Sequence, residues 1–263
     1  MSPIKIAGAA VILALAFAPA DAATAKKAPT AKASAADPGN LNGVWLSARF
    51  TGGAVVNPGL DPKTIRTVEG KDPPLLPWAA EITQRRLMAM KAGRPEAGPK
   101  AKCLPAGLPQ SMTPPASLPI QMLVQKDQVT ILFEEFNNFR IIHMNRKHAE
   151  DPDPGYFGDS VGHWEGDTLV VDTIGLTDKT AIDNVGIPHT DQLHVVERFH
   201  RTGKDGMEIL TTLDDPKAYT APWTIRSSFR SVPGTDLAEY YCDNDRNVPT
   251  AEGVSVVQMP GAK

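Results

Sequence analysis

The chain lacks the features of several common protein classes. Its formal net charge is −3, from 27 Lys and Arg against 30 Asp and Glu, so it has no basic excess for binding nucleic-acid phosphates. It has only two cysteines, and they do not form a C-x-x-C pair, which argues against a redox motif or a zinc ribbon. Beyond the first 22 residues no apolar run approaches the roughly 20 residues that span a bilayer, so we expect no stable membrane insertion.

The N-terminal segment has the pattern of a secretory signal peptide. Lys5 supplies a basic start, residues 6–18 (IAGAAVILALAFA) are apolar, and small residues ending at Ala22 fit a signal-peptidase site. We predict a signal peptide over 1–22, with a retained membrane anchor as the alternative, and a periplasmic or secreted location. Residues 23–40 have no large apolar side chain, which predicts a flexible tether before a single domain at 41–258.

The two cysteines, Cys103 and Cys242, lie far apart in the sequence. In an oxidising compartment the simplest arrangement is one disulfide that closes a long loop, and we predict it here. Two buried free thiols are the alternative.

Proline and β-rich runs divide the rest of the chain into two regions. Residues 54–119 are rich in proline, which predicts irregular structure around one helix at 77–93 that begins with a proline. From Ile120 onward, short β-rich runs alternate with turn signals, as in a sandwich or a barrel. Residues 41–45 (LNGVW) resemble the Gly-x-Trp opening of lipocalin-type barrels, whose Trp closes the barrel floor. We predict a mainly β fold, an antiparallel lipocalin-like barrel.

Turn residues between the β-rich runs indicate three hairpins. The pairs NN at 137–138 and GD at 166–167 each fit a tight two-residue turn, and the polar loop 202–206 joins two further runs. Residues 222–232 and 236–244 are predicted to form two more strands.

The turn at 137–138 predicts two charge pairs on a strand pair that is apolar on both faces. It would set Glu135 opposite Arg140 and Glu134 diagonal to His143. Burying an ionisable group there would cost folding free energy, because the charge loses its hydration, unless the group were paired with an opposite charge. A structural ion pair is the commoner explanation for such residues, and His143 is a candidate substrate-binding residue.

The turn at 166–167 places His163, Glu165 and Asp172 on one face of a strand pair, with an apolar face behind them. Asp172 would be a diagonal neighbour of His163, about 7–8 Å away, within reach of a hydrogen bond between the side chains. A carboxylate held against a histidine fixes its tautomer and raises its basicity, which suits a general base. A merely solvated strand face would show the same alternation.

Residues 188–201 (PHTDQLHVVERFHR) contain three of the six histidines. On a strand that starts at Leu193, Glu197 is the one ionisable member of an apolar face. We predict that Glu197 is either paired with a buried arginine or kept with a raised pKa for proton transfer. His189 and Asp191 belong to the loop that leads into this strand.

The spacing of the histidines argues against a metal centre. His194 and His200 share a strand face but stand about 20 Å apart at the rise of a strand, too far for one ion. The sequence has no His-x-His pair and no His-Glu-x-x-His motif. We therefore predict no metal and no other cofactor, which leaves side-chain acid–base chemistry or ligand binding.

Three motifs that follow CLPAGLP (103–109) resemble a family of exported bacterial proteins. They are GDSVGHWEGDTLVVDTIGL (158–176), GIPHTDQLHVVERFHR (186–201) and DDPKAYTAPW (214–223). The resemblance covers roughly residues 103–244 and implies a common fold, but it implies no particular reaction. It also implies a common site formed by His163, Glu165, Asp172, His189, Asp191, His194, Glu197 and Arg198.

The leading hypothesis is a cofactor-free acid–base enzyme of the lyase, isomerase or hydrolase type, acting on a small organic molecule. The base would be His163 or His194, the carboxylate that orients it Asp172 or Asp191, the buried acid Glu197 and the anion stabiliser Arg198. Further residues predicted to bind substrate are Glu165, His189, Asp191, His143 and Tyr219.

Two other classes of function fit the same sequence. One is a lipocalin-type carrier of a small hydrophobic ligand, and the other is a structural or envelope-interaction domain. The enzyme is favoured because a carrier needs few ionisable groups in its pocket. Strand alternation does not say whether those groups converge on one pocket, and the sequence indicates no oligomeric state.

Overall fold

The computed structural model describes residues 40–48, 65–92, 94, 96, 98–114, 118–240, 242, 247–249 and 255–257. The predicted signal peptide (1–22) and all but the last residue of the predicted tether (23–40) lie outside the described residues, so these domain boundaries stay predictions. None of the helices in the described part of the chain is long and apolar enough to cross a membrane.

The described residues form a mainly β structure with one α-helix. The helix is α1 (Pro77–Lys91), as predicted, and short 3-10 helices occupy Pro99–Lys102, Gln110–Met112 and Glu135–Asn137. The main strands are β1 (Gly43–Ser47), β2 (Ile120–Val124), β3 (Gln128–Phe133), β4 (Asn138–Met144), β5 (Asp159–Glu165), β6 (Thr168–Ile174), β7 (His194–Arg201), β8 (Gly206–Asp214) and β9 (Trp223–Ser231). Two short strands, β10 (Asn247–Pro249) and β11 (Ser255–Val257), pair with each other.

Strands β1 to β9 form a closed barrel in which each strand pairs with the next and β9 returns to β1. The predicted barrel is therefore confirmed. All neighbouring pairs are antiparallel except β4 and β5, which run parallel, so the predicted antiparallel order fails at this point. A parallel pair needs a crossover that returns the chain to the starting end of the barrel. Residues 145–158 form this crossover.

The barrel wall alternates between buried and less buried side chains because successive residues of a strand point to opposite faces. In β8, Met207, Ile209, Thr211 and Leu213 are buried, and the residues between them are half-buried. Similar inward positions on the other strands join one hydrophobic core. The same alternation decides which ionisable residues point inward.

One end of the barrel is closed by Trp45. Its side chain is buried, and its indole Nε1 donates a hydrogen bond to the carbonyl of Leu41 at 2.9 Å. The guanidinium carbon of Arg201 lies 5.1 Å from the ring centroid, and Arg201 also donates to the carbonyl of Asn40. This stacking of a cation on the ring links the end of β7 to β1 at this end of the barrel.

The opposite end is covered by residues 104–114, 175–193 and 215–222, which we call the cap. Leu108, Ile182 and Tyr219 are buried there and belong to the barrel core. The cap segments are linked by hydrogen bonds such as that from the Thr113 hydroxyl to the Ile182 carbonyl, at 2.7 Å. The predicted disulfide between Cys103 and Cys242 forms beside this end.

The hairpin at 166–167 is confirmed, since Glu165 pairs with Thr168, but the turn at 137–138 is not. The chain turns over residues 134–137, where Phe136 and Asn137 adopt positive φ, and Arg140 pairs with Ile131 instead of Glu135. The partner of Arg140 shifts by four residues, an even number, so each side chain keeps the face that alternation predicted. Glu135 instead receives a hydrogen bond from Lys100 at 2.7 Å.

The strand predicted at 236–244 is absent from the residues described there, 236–240 and 242, which are irregular. The barrel explains this difference, because β9 already pairs with β1 and leaves no free edge for another strand.

Candidate functional site

The outer face of β6 and β7 carries a closely coupled pair of ionisable side chains. Asp172 pairs in register with Val196, two residues after His194. Both point outward, since the adjacent Thr173 and Val195 are buried inside the barrel. His194 Nε2 lies 2.9 Å from each carboxylate oxygen of Asp172, and 41 % of the His194 side chain is exposed. The imidazole is therefore oriented by a carboxylate and still open to solvent.

His148, from the crossover, extends this pair. Its Nε2 lies 2.9 Å from Asp172 Oδ1, and its Nδ1 lies 2.9 Å from Asp159 Oδ2. The backbone N–H of Ala149 also donates to that Asp159 oxygen, at 3.0 Å. Burial by itself would raise the pKa of Asp159, but these hydrogen bonds and the neighbouring cations outweigh it and lower the pKa. We call Asp159, His148, Asp172 and His194, joined in that order, the Asp–His chain.

His163 has a different partner from the one predicted. Its Nε2 lies 3.1 Å from Glu165 Oε1, and Arg198 donates to Glu165 Oε2 at 2.8 Å. The hydrogen bond from Arg198, followed by that from His163, lowers the pKa of Glu165. Because Asp172 is already held by two histidines, the predicted hydrogen bond between Asp172 and His163 does not form. His163, Glu165 and Arg198 are instead a separate, exposed group at the other end of the same face.

Glu197 lies on the inner face of β7 and is fully buried. Arg140, on the inner face of β4, places its NH2 group 2.5 Å from Glu197 Oε2 and 2.9 Å from the Thr173 hydroxyl. Its Nε donates to the Ser160 hydroxyl at 3.1 Å. Of the two states predicted for Glu197, the structure shows the pair with a buried arginine.

Some polar atoms of this interior make no hydrogen bond within the part of the chain that the structure describes. They are Arg140 NH1, Glu197 Oε1, Thr211 Oγ1 and Trp223 Nε1. Thr211 stands directly opposite Glu197 on β8, and Trp223 is a diagonal neighbour of Thr211 on β9. We call these four residues, Arg140, Glu197, Thr211 and Trp223, the polar band of the barrel interior. Their free atoms include both hydrogen-bond donors and an acceptor.

The predicted catalytic residues therefore do not meet in one place. Glu197 and Arg198 are consecutive in β7, so the strand period sends one into the barrel and the other to its outer surface. Asp172 and His194 come together on the outer face, whereas His163 and Arg198 gather around Glu165. The barrel wall separates Glu197 from all of them.

His189 was expected near the site but is buried in the cap. Its Nδ1 lies 2.8 Å from the Thr190 carbonyl, and its Nε2 lies 2.7 Å from the Thr180 hydroxyl. A neutral ring is compatible with both contacts if Nδ1–H donates to the Thr190 carbonyl and Nε2 accepts from the Thr180 hydroxyl, which also lies 2.9 Å from the Leu108 carbonyl. Burial lowers the pKa of His189, and this outweighs the opposing effects of the Thr190 carbonyl and the carboxylates of Asp215 and Asp178.

A neutral His189 predicts a specific loss of stability in acid. The unfolded chain takes up this proton near pH about 6.5, whereas the folded protein takes it up only at a lower pH. The free energy of unfolding should therefore fall as the pH drops below about 6.5 and level off once the folded form is also protonated. Urea unfolding of the wild type and His189→Gln across this range measures the effect. A stability difference between the two proteins that does not change with pH would contradict it.

The other predicted substrate-binding residues also lie apart from the Asp–His chain. Tyr219 is buried in the cap, where its hydroxyl donates to the Pro188 carbonyl at 3.1 Å and burial raises its pKa. Asp191 is exposed, and His143 is half-buried on β4, opposite Gln128.

Three residues of the Asp–His chain and the barrel interior were not predicted for these sites from the sequence. His148 and Asp159 belong to a proline-rich stretch and a strand start, where no periodicity marks them, and Arg140 was assigned to Glu135. No Gly-x-Ser-x-Gly nucleophile elbow was predicted, although GDSVG at 158–162 has that spacing. Ser160 lies within β5, is buried and faces Arg140, so this serine is not exposed on a strand-to-helix turn.

Within the described residues, no group of three or more His, Cys, Asp or Glu has the arrangement of a metal site. No protein-family model matches the chain, and no curated protein shows significant similarity to it. The geometry of the Asp–His chain is therefore the basis for the function proposed below.

Proposed function

We propose that the protein is an exported acid–base enzyme of the lyase, isomerase or hydrolase type, with His194 as the general base and Asp172 as the carboxylate that orients it. The observation that supports this proposal is the contact of His194 Nε2 with both oxygens of Asp172. An ionised carboxylate only accepts hydrogen bonds, so the ring proton stays on Nε2 and Nδ1 is left as the basic atom.

The position of the ring suits this role. Among the described residues Nδ1 of His194 has no hydrogen-bond partner, and the side chain is open to solvent on the barrel exterior. A small organic substrate could approach Nδ1 there and give up a proton from carbon, or from a water molecule that attacks it. No step of this proposal needs a cofactor.

The proposal changes the roles of two residues that the sequence marked as catalytic. Glu197 forms an ion pair with Arg140 inside the barrel, and Arg198 forms an ion pair with Glu165 on the outer surface. We assign Glu197 to the structure of the barrel and leave proton transfer to His194.

An exported location is part of the proposal. The disulfide between Cys103 and Cys242 is compatible with an oxidising compartment. The signal-peptide pattern at 1–22 and the resemblance of the 158–176 and 186–201 motifs to exported bacterial proteins support the same location.

A turnover screen with one matched pair of variants tests the proposal. Small aromatic, terpenoid and sugar-acid compounds would be incubated with the wild type, His194→Gln and His200→Gln, and products followed by mass spectrometry. His200 is a suitable control because it lies on the same face of β7 and faces a carboxylate, Asp167, outside the Asp–His chain. We expect His194→Gln to lower the rate by about 10²- to 10⁴-fold and His200→Gln to leave it unchanged. Equal turnover by all three proteins would rule out His194 as the base.

A carrier function is the second candidate, and the polar band inside the barrel is the observation that favours it. Buried donors and acceptors without a hydrogen-bond partner reduce the free energy of unfolding. A small ligand that formed hydrogen bonds with Arg140, Glu197 and Thr211 would therefore stabilise the fold. The same compounds would be tested for an increase in melting temperature that Thr211→Val diminishes. A ligand that binds in this way and is recovered unchanged would favour the carrier over the enzyme.

A further inference from the structure

We infer that His148 is a positioning residue of this site, held as a doubly protonated imidazolium between Asp159 and Asp172. The inference rests on the proposed function, because it explains how the carboxylate that orients His194 is itself kept in place. His148 does not touch the atoms that would react. It acts through Asp172.

The hydrogen-bond geometry favours the charged ring. Both nitrogens of His148 face carboxylate oxygens at 2.9 Å, one from Asp159 and one from Asp172. An ionised carboxylate has no hydrogen to give, so each nitrogen must carry its own. A neutral imidazole has only one N–H, and one of the two contacts would then set a lone pair against a carboxylate oxygen.

The position of the two aspartates explains why a cation belongs there. Asp172 pairs in register with Val161, two residues after Asp159, so the two carboxylates are diagonal neighbours on the outer face of β5 and β6. Like charges this close repel each other. The imidazolium of His148 lies between them and interacts favourably with both, so that the carboxylates are held together.

The same contact defines the orientation of Asp172. Its Oδ1 atom accepts from His148 Nε2 and from His194 Nε2, so the carboxylate is held from two sides. Without His148, rotation of the Asp172 carboxylate would be restrained by His194 alone, which is a more exposed side chain. His194 would then lose the fixed partner that selects its Nε2–H tautomer.

His148 is itself anchored by the contacts of neighbouring residues in the chain. It lies in the crossover between the two parallel strands, and the N–H of the next residue, Ala149, donates to Asp159. Arg146, two residues earlier, places its guanidinium 3.5 Å from the other oxygen of Asp159. Three contacts, from Arg146, His148 and Ala149, therefore converge on Asp159. The parallel connection of β4 and β5 brings His148 to this carboxylate pair.

Long-range proton–nitrogen correlation NMR of the ¹⁵N-labelled protein tests the inference without a substrate. Ring signals would be assigned with His148→Gln, His194→Gln and the control His200→Gln. At neutral pH we expect His148 to show two protonated ring nitrogens. We expect His194 to show one tautomer, with the hydrogen on Nε2. In Asp159→Asn, whose side-chain amide can donate to Nδ1, His148 should show a single N–H.

The second readout is the tautomer of His194 in His148→Gln. We expect the single tautomer to be replaced by a mixture of both, whereas His200→Gln should leave it as in the wild type. A His148 ring with one bare nitrogen in the wild type would overturn the inference, and so would a His194 tautomer that is unaffected in His148→Gln. Should both NMR results hold while His194→Gln converts substrate normally, the proposed function fails and the positioning of Asp172 stands.

Discussion

Replacement of Arg140 by methionine is expected to lower the free energy of unfolding by about 3–5 kcal/mol, because it leaves a buried carboxylate without its cation. Glu197 is fully buried and receives a hydrogen bond from Arg140 at 2.5 Å. The variant also removes the hydrogen bonds that Arg140 donates to Ser160 and Thr173. Denaturant unfolding of both proteins at neutral pH, analysed by linear extrapolation, measures the loss.

The double variant Arg140→Met, Glu197→Leu distinguishes a buried charge from simple loss of packing. Apolar residues of similar volume often replace a buried ion pair at little cost, so the double variant should recover most of the stability that Arg140→Met loses. Arg198→Met is the matched control, since it breaks a pair with Glu165 that lies exposed on the same barrel wall. If Arg140→Met lowered the free energy of unfolding by no more than Arg198→Met does, the interior pair would not be desolvated as the structure shows.

The hairpin at 166–167 shows how much of this fold could be predicted from sequence. A two-residue turn leaves no choice of register, so the pairing of His163 with Val170 and the outward direction of Asp172 follow from local chemistry. The inward direction of Glu197 was predicted on the same basis. Alternation along a strand is a local property, and it held even where the turn after β3 was longer than predicted.

The partners of these residues could not be predicted, because they depend on contacts between distant strands. Asp172 is bound by His148, which reaches it only because β4 and β5 are parallel and joined by a long crossover. The sequence shows no periodic signal for that connection. The Arg140–Glu197 pair likewise spans the interior of a closed barrel, so neither residue indicates its partner locally. The site proposed here was therefore found by geometry, within a face that the sequence had already marked.

Removal of the disulfide with Cys103→Ser and Cys242→Ser together is expected to lower the free energy of unfolding by about 2–5 kcal/mol. The two cysteines are 139 residues apart. Because a crosslink over so long a loop restricts the unfolded chain strongly, the loop-entropy relation puts the full effect at about 5 kcal/mol. Denaturant unfolding of the wild type and the double serine variant under the same conditions measures the difference.

The contacts around Tyr240 explain why the effect should act mainly through the unfolded state. The Asn137 side chain donates to the Tyr240 carbonyl at 2.6 Å and accepts from its N–H at 3.2 Å, and the rings of Phe136 and Tyr240 lie 5.0 Å apart. These contacts hold the segment before Cys242 in place without the crosslink, so the folded state should change little. Asn137→Ala, which loses these two hydrogen bonds but keeps the disulfide, should cost only about 1–3 kcal/mol. A double serine variant as stable as the wild type would mean that the unfolded chain is already restricted by other means.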